Sequence, residues 1–86
     1  MGDIRVQVRY FASVREALGD GETVQVPVGT TVARLRQKLA GLSPEHAAAL
    51  GEGCALRAAV DQAMSDEQLV LRADAEVAVF PPVTGG

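Results

Sequence analysis

Tryptophan is absent from this chain, and its aromatics are one tyrosine and two phenylalanines. Any core must therefore be filled by aliphatic side chains. The single cysteine, Cys54, cannot close an intramolecular disulfide or complete a metal site by itself, which suits a reducing, cytoplasmic setting. No apolar run approaches the ~18 residues of a membrane-spanning helix. The start, Met1-Gly2-Asp3-Ile4-Arg5-Val6, lacks the apolar stretch of a secretion signal. Gly2 invites a myristoylation reading, but Val6 stands where serine or threonine is wanted. Net charge is -3, the isoelectric point is about 4.9 and the arginines are scattered. Neither nucleic acid nor an anionic membrane is an expected partner of such a chain. There is no Gly-x-Gly-x-x-Gly, no phosphate-binding loop, no cysteine pair, no internal repeat and no low-complexity tract.

What is present is enough to fold. Hydrophobic residues make up 48% and charged residues 22% of the 86, so ordering entropy can be offset by burial within one small domain. Ile4, Val6, Val8 and Tyr10 alternate with Arg5, Gln7 and Arg9, the period of a half-buried strand. Phe11 breaks the polar face, and so either ends the strand or sits in an exposed patch. Ser13-Val14-Arg15-Glu16 has the form of a capping box opening a short helix that Gly19 stops. Asp20-Gly21 is turn chemistry. Thr23 to Val28 alternates again, and Pro27 makes that strand an edge or an early stop.

Gly29-Thr30-Thr31 opens the best helix, with Val32, Leu35 and Leu39 on one face and Gly41 at its end. Ser43-Pro44-Glu45 predicts a second, short helix running to Gly51. Leu56 to Val60 reads as a strand and Asp61-Gln62 as a turn. Met64 to Arg72 is ambiguous, with Leu69 and Leu71 suggesting a short strand. Ala73-Asp74-Ala75 is a turn, Glu76 to Phe80 the final strand, and Pro81-Pro82 its stop. This order predicts an α+β fold, a mixed sheet packed on one principal helix, with its first two strands antiparallel. A β-grasp arrangement fits the order without being required by it.

Conventional catalytic chemistry is thin. His46 reads as a helix-surface residue and Cys54 as a small half-buried hydrophobe. The neighbouring carboxylates Asp20/Glu22, Asp66/Glu67 and Asp74/Glu76 read as solvated turn charges, and Arg34, Arg36 and Lys38 as a solvated helix face.

The C-terminus is different. Phe80 is followed by Pro81, Pro82, Val83, Thr84, Gly85 and Gly86. Two prolines cannot join a ladder and bias the segment to an extended course. Six residues at their full extension reach about 20 Å, enough to enter another protein's active site. Two terminal glycines fit a narrow channel and leave a carboxylate sterically bare. A carboxylate resists attack until it is activated, as by adenylation with ATP. No histidine, lysine or aspartate in the segment helps. The chain is thus expected to be a substrate, no enzyme on its own, with catalysis in its partners.

Phe80-Pro81-Pro82-Val83-Thr84-Gly85-Gly86 resembles the C-terminus of the small subunit of molybdopterin synthase, the MoaD-type ubiquitin-like sulfur carriers. Further likeness lies in Tyr10-Phe11-Ala12-Ser13-Val14-Arg15-Glu16, in Thr31 to Leu39, and in Ala58-Ala59-Val60-Asp61-Gln62, where Asp61 replaces the family's asparagine. The resemblance implies a β-grasp domain over residues 1–80 and a flexible extended tail over 81–86. It implies that an E1-like activating enzyme of the MoeB type adenylates Gly86 with ATP, and that sulfur transfer involving a sulfurtransferase makes a thiocarboxylate. It also implies a partner, the MoaE-type large subunit, in a heterotetramer of two large and two small subunits. The tail would enter the large subunit's active site and donate sulfur to cyclic pyranopterin monophosphate, building the molybdopterin dithiolene. No cofactor is implied on the chain itself. Phe11 and Phe80 are the aromatic candidates for a shared docking patch on that partner. Competing readings are a carrier for thiamin, cysteine or tRNA thiolation, a ubiquitin-like protein modifier, and an enzyme using Cys54 and His46.

Overall fold

A computed structural model describes residues 2–51 and 53–82. The order is β1 (Asp3–Tyr10), α1 (Ala12–Leu18), β2 (Gly21–Pro27), α2 (Val32–Ala40), α3 (Pro44–Leu50), β3 (Arg57–Val60), β4 (Ala63–Ser65) and β5 (Ala75–Phe80). The strands form one sheet in the order β2-β1-β5-β3-β4. β1 pairs antiparallel with β2 and parallel with β5, and β3 pairs antiparallel with both β4 and β5. This is the expected α+β, β-grasp arrangement, with the first and last strands parallel at the centre.

The alternation of β1 does what its period demands: Ile4, Val6, Val8 and Tyr10 are buried, and the residues between them are exposed. They join Val26, Val77 and Val79 from the sheet and Val32, Leu35 and Leu39 from α2 in a single core cluster. Val14, Leu50 and Leu71 complete it. Tyr10 is the one aromatic among these buried residues, so the core is aliphatic as the composition requires. The Thr31 side chain caps α2 by accepting from the Arg34 N–H, and Ser43 caps α3 by accepting from the His46 N–H. The Ser43 cap stands where the sequence placed it, and the Thr31 cap lies within the segment read as opening α2.

Two local expectations fail. The first is the Ser13 cap of α1: the helix begins at Ala12, its N-cap is Phe11, and no side chain caps it. The Phe11 N–H instead donates to Val79 O at 3.1 Å. Chain pairing with β5 thus persists one residue beyond β1, and the turn into α1 is made abruptly, with Ala12 at a φ of 55°. Burial of Val14 anchors the helix instead. The second is a strand at Leu69–Leu71. The strand lies earlier, at Ala63–Ser65, and Val70 makes only an isolated bridge to Thr31. The segment serves α2, whose first N–H groups need acceptors. The Val32 and Ala33 N–H groups donate to Leu69 O and Glu67 O, each at 3.0 Å.

Pro27 is the last residue of β2, which is an edge strand, so both halves of the proline reading hold. Gly21 is required by close approach: a Cβ there would come 2.1 Å from Val8 O. Asp61 and Gln62 turn the β3–β4 hairpin at φ 48° and 71°. Asp61 also ties this turn to β5, since its Oδ1 accepts from the Glu76 N–H at 3.0 Å and its own N–H donates to Glu76 O at 2.8 Å. No helix among the described residues is long and apolar enough to cross a membrane.

Candidate functional site

The parallel register of β1 and β5 positions the two phenylalanines. Tyr10 is paired with Val79 at the end of the ladder, and Phe11 and Phe80 are the residues that follow on each side. The Phe11–Val79 hydrogen bond holds that step in place. Side chains alternate, and Tyr10 and Val79 face the core, so Phe11 and Phe80 fall on the opposite, outer face. Phe11 is 41% exposed, and Phe80 is half-buried. Phe80 is also the last residue of β5, from which half-buried Pro81 and Pro82 lead away. Val83, Thr84, Gly85 and Gly86 lie outside the described residues.

The register extends this patch across the sheet. Ala78 pairs with Arg9 on one side and Ala59 on the other, and Ala59 pairs with Met64. Met64 is 62% exposed. Small residues at 59 and 78 make a shallow floor between Met64 and the phenylalanines. This contribution of β4 was missed in the sequence, because β4 itself was not placed. Farther down, where β5 begins, the outer face turns polar, with Gln7, Asp74 and Glu76.

The other candidate side chains are engaged in holding the fold. His46 is no simple surface residue: its Nε2 lies 2.6 Å from Glu22 Oε2, and its Nδ1 lies 2.7 Å from Ser43 Oγ. The buried Tyr10 hydroxyl donates to the same Glu22 oxygen at 2.6 Å. This chain fastens α3 to β1 and β2. Burial by itself would raise the Glu22 carboxyl, but hydrogen bonds from Tyr10 and His46 outweigh it, and the net shift is downward. Burial first, then the bond to Glu22, pushes the Tyr10 phenol well above its ordinary range. Glu22 was read as a solvated turn charge. It shares the inward parity of Val24 and Val26, which is the signal that would have found it.

Arg36 departs from its reading most. It donates to Leu50 O at 2.8 Å, Gly51 O at 2.9 Å and Cys54 O at 2.5 Å, and it pairs with Glu67 at 2.8 Å. It is the clasp of the α3–β3 connection. Cys54 is half-buried, as expected, and its thiol donates to Ala48 O at 3.3 Å. Cys54 and His46 are thus each committed to other partners. Among the described residues no cluster of three or more His, Cys, Asp or Glu side chains is arranged to hold a metal ion. A cleft of about 260 Å³ between α2 and the sheet is lined mostly by apolar side chains such as Leu35, Leu39, Leu56 and Val79. It offers no nucleophile paired with a base.

The ThiS family matches residues 8–86. The molybdopterin synthase sulfur carrier subunit of Escherichia coli (strain K12) is 43% identical over 81 residues, covering 94% of this chain and 99% of that protein. Among solved structures, the HVO 2177 protein of Haloferax volcanii superposes with a TM-score of 0.79 at 26% identity, covering 99% of this chain and 89% of that one. Subunit 1 and 2 of the molybdopterin-converting factor from Helicobacter pylori 26695 have been solved as a complex. A chain of it matches with a TM-score of 0.62 at 23% identity, covering 96% of this chain and 100% of that one, a likeness of fold alone.

Proposed function

Because the chain belongs to the ThiS family, we propose that it is the sulfur-carrying small subunit of a molybdopterin synthase, working through Gly86. The observation that carries this reading is 43% identity to the E. coli sulfur carrier subunit along nearly the full length of both chains. The Phe80–Gly86 sequence supports it, leaving the sheet from the end of a central strand.

The chemistry follows from the carboxylate. One Gly86 oxygen attacks the α-phosphorus of ATP on an E1-like enzyme, and pyrophosphate leaves. Hydrosulfide then adds to the acyl carbon and AMP leaves as the thiocarboxylate forms; where a sulfurtransferase persulfide is the donor, AMP leaves an acyl disulfide whose S–S bond a thiol reduces to release the thiocarboxylate. In the large subunit the thiocarboxylate sulfur attacks a side-chain carbon of cyclic pyranopterin monophosphate and displaces an oxygen substituent from it, leaving a thioester between that carbon and Gly86. Water later releases the acyl group, restoring the Gly86 carboxylate, and a second carrier repeats the step. The chain supplies no acid, base or metal for any of this. Its work is delivery: Pro81 and Pro82 stiffen the exit, and Val83 to Gly86 enter the partner's channel.

A tail alone binds weakly, because ordering it costs entropy. The outer-face patch at its root, Phe11 and Phe80 with Met64, is therefore the surface that docks on the large subunit. Such docking would place the tail's root at the channel mouth.

The deciding experiment is an intact mass after incubation with ATP, a sulfide source and the activating enzyme of the molybdopterin pathway. Replacement of one oxygen by sulfur in the full-length chain, and none in a chain lacking Gly86, is expected. Modification only by the thiamin-pathway activator would move the chain to another pathway. Modification by neither would overturn the sulfur-carrier reading.

A further inference from the structure

We propose that Arg57 is a specificity-determining residue of the docking face, recognising a carboxylate on the large subunit at the mouth of its tail channel. The inference rests on the sulfur-carrier reading of the tail. Strand register sets Arg57 directly opposite Phe80. Opposed residues on one face of an antiparallel pair have their Cβ atoms about 4.5–5.5 Å apart. Ala58 and Val60 pack against the core, so alternation puts Arg57 and Ala59 on the side of Phe80, with Arg57 also at the rim of the cleft that Asp66 and Glu67 line. Arg57 is exposed, and it makes no ion pair among the described residues. Arg9, the other cation near the patch, already has Glu76 at 3.8 Å.

The outer face is thereby polarised along β5. Asp61, Asp74 and Glu76 gather where β5 begins. The aromatics and a guanidinium without an ion pair among the described residues stand where it ends. Any protein that threads the tail must cover Phe80, the residue from which the tail departs. Covering Phe80 strips water from its neighbour Arg57. A guanidinium does not give up its charge, so desolvation without a counter-charge is strongly unfavourable. A carboxylate offsets that cost through two parallel hydrogen bonds to the planar fork. An apolar or basic rim would reject the chain at this position. The requirement is local: net charge is -3, so bulk attraction does not draw this chain to an acidic surface. Arg57 therefore sets partner choice and docking angle.

The test titrates the full-length chain into the purified large subunit from the same organism, by calorimetry at low and high salt. Arg57→Gln is expected to weaken binding roughly tenfold, and Arg57→Glu roughly a hundredfold, at low salt. Added salt should narrow the gap between wild type and Arg57→Glu. Phe80→Ala should weaken binding at both salt levels. Since Arg57 is exposed, unchanged far-ultraviolet circular dichroism is expected for its variants. Both Arg57 variants binding within about twofold of wild type, or more tightly, while Phe80→Ala binds weakly, would overturn the Arg57 role and leave the docking face standing. If all three variants bind like wild type, this face is not the interface, and the Arg57 role falls with it. The Gly86 mass shift reports on sulfur carriage independently of either result.

Discussion

Replacing Arg36 by methionine tests the account of what holds this small fold together. The Arg36 side chain is 21% exposed, and it satisfies the carbonyls of Leu50, Gly51 and Cys54. Two of these close the end of α3, where helix carbonyls lack partners within the helix, although Gly51 O also accepts from the Cys54 N–H at 3.1 Å. A hydrogen bond from a charged donor contributes about 1.5–3 kcal/mol net. Three would sum to more than twice that, but they share one side chain and the freed carbonyls regain some water. The Glu67 pair adds little, because Glu67 is 54% exposed. Methionine keeps the aliphatic stem, so packing loss is small. A loss of about 3 kcal/mol follows, which for a domain this size lowers the melting midpoint by roughly 12–24 °C. Arg34, exposed on the same helix, is the control: Arg34→Met should change stability by less than about 0.5 kcal/mol. With no tryptophan to report, guanidinium unfolding is followed by far-ultraviolet circular dichroism. An Arg36→Met loss below about 1 kcal/mol would refute the clasp, and would mean that water serves those carbonyls as well as Arg36 does.

Two further expectations concern buried polar groups. The folded-state pKa of Glu22 lies below its unfolded value, so its contribution is complete above the ordinary carboxylate pKa of 4.5 and is lost as pH falls through the lower folded value. The stability gap between wild type and Glu22→Gln should therefore be widest near neutrality and shrink in acid, and a gap constant from neutral pH into acid would contradict this. Ser65 Oγ is buried without a hydrogen-bond partner among the described residues, so Ser65→Ala should stabilise by about 1 kcal/mol, raising the midpoint by roughly 4–8 °C; a lower midpoint would mean that the hydroxyl has a partner.

Local geometry explains which features were legible in the sequence. A strand exposes alternate residues and a helix every third or fourth, so Ile4 to Tyr10 and Val32 to Leu39 declare their buried faces without reference to anything distant. Ser43 caps through the backbone N–H three residues on, and Pro81-Pro82 ends a ladder by lacking donors. The character of Phe80–Gly86 is likewise a property of its own residues. Tertiary structure alone decided the rest. Phe11 and Phe80 become neighbours because β1 and β5 pair in parallel across most of the chain, a register that neither segment encodes alone. Arg36 leaves its apparently solvated face because α3 ends within its reach. His46 meets Glu22 because α3, packed against α1 and α2, brings its first turn within reach of β2. Alternation and capping are short-range consequences of backbone geometry. Partners far apart in sequence are chosen only when the whole core is packed, and there a buried polar group takes whichever donor or acceptor the packing brings to it.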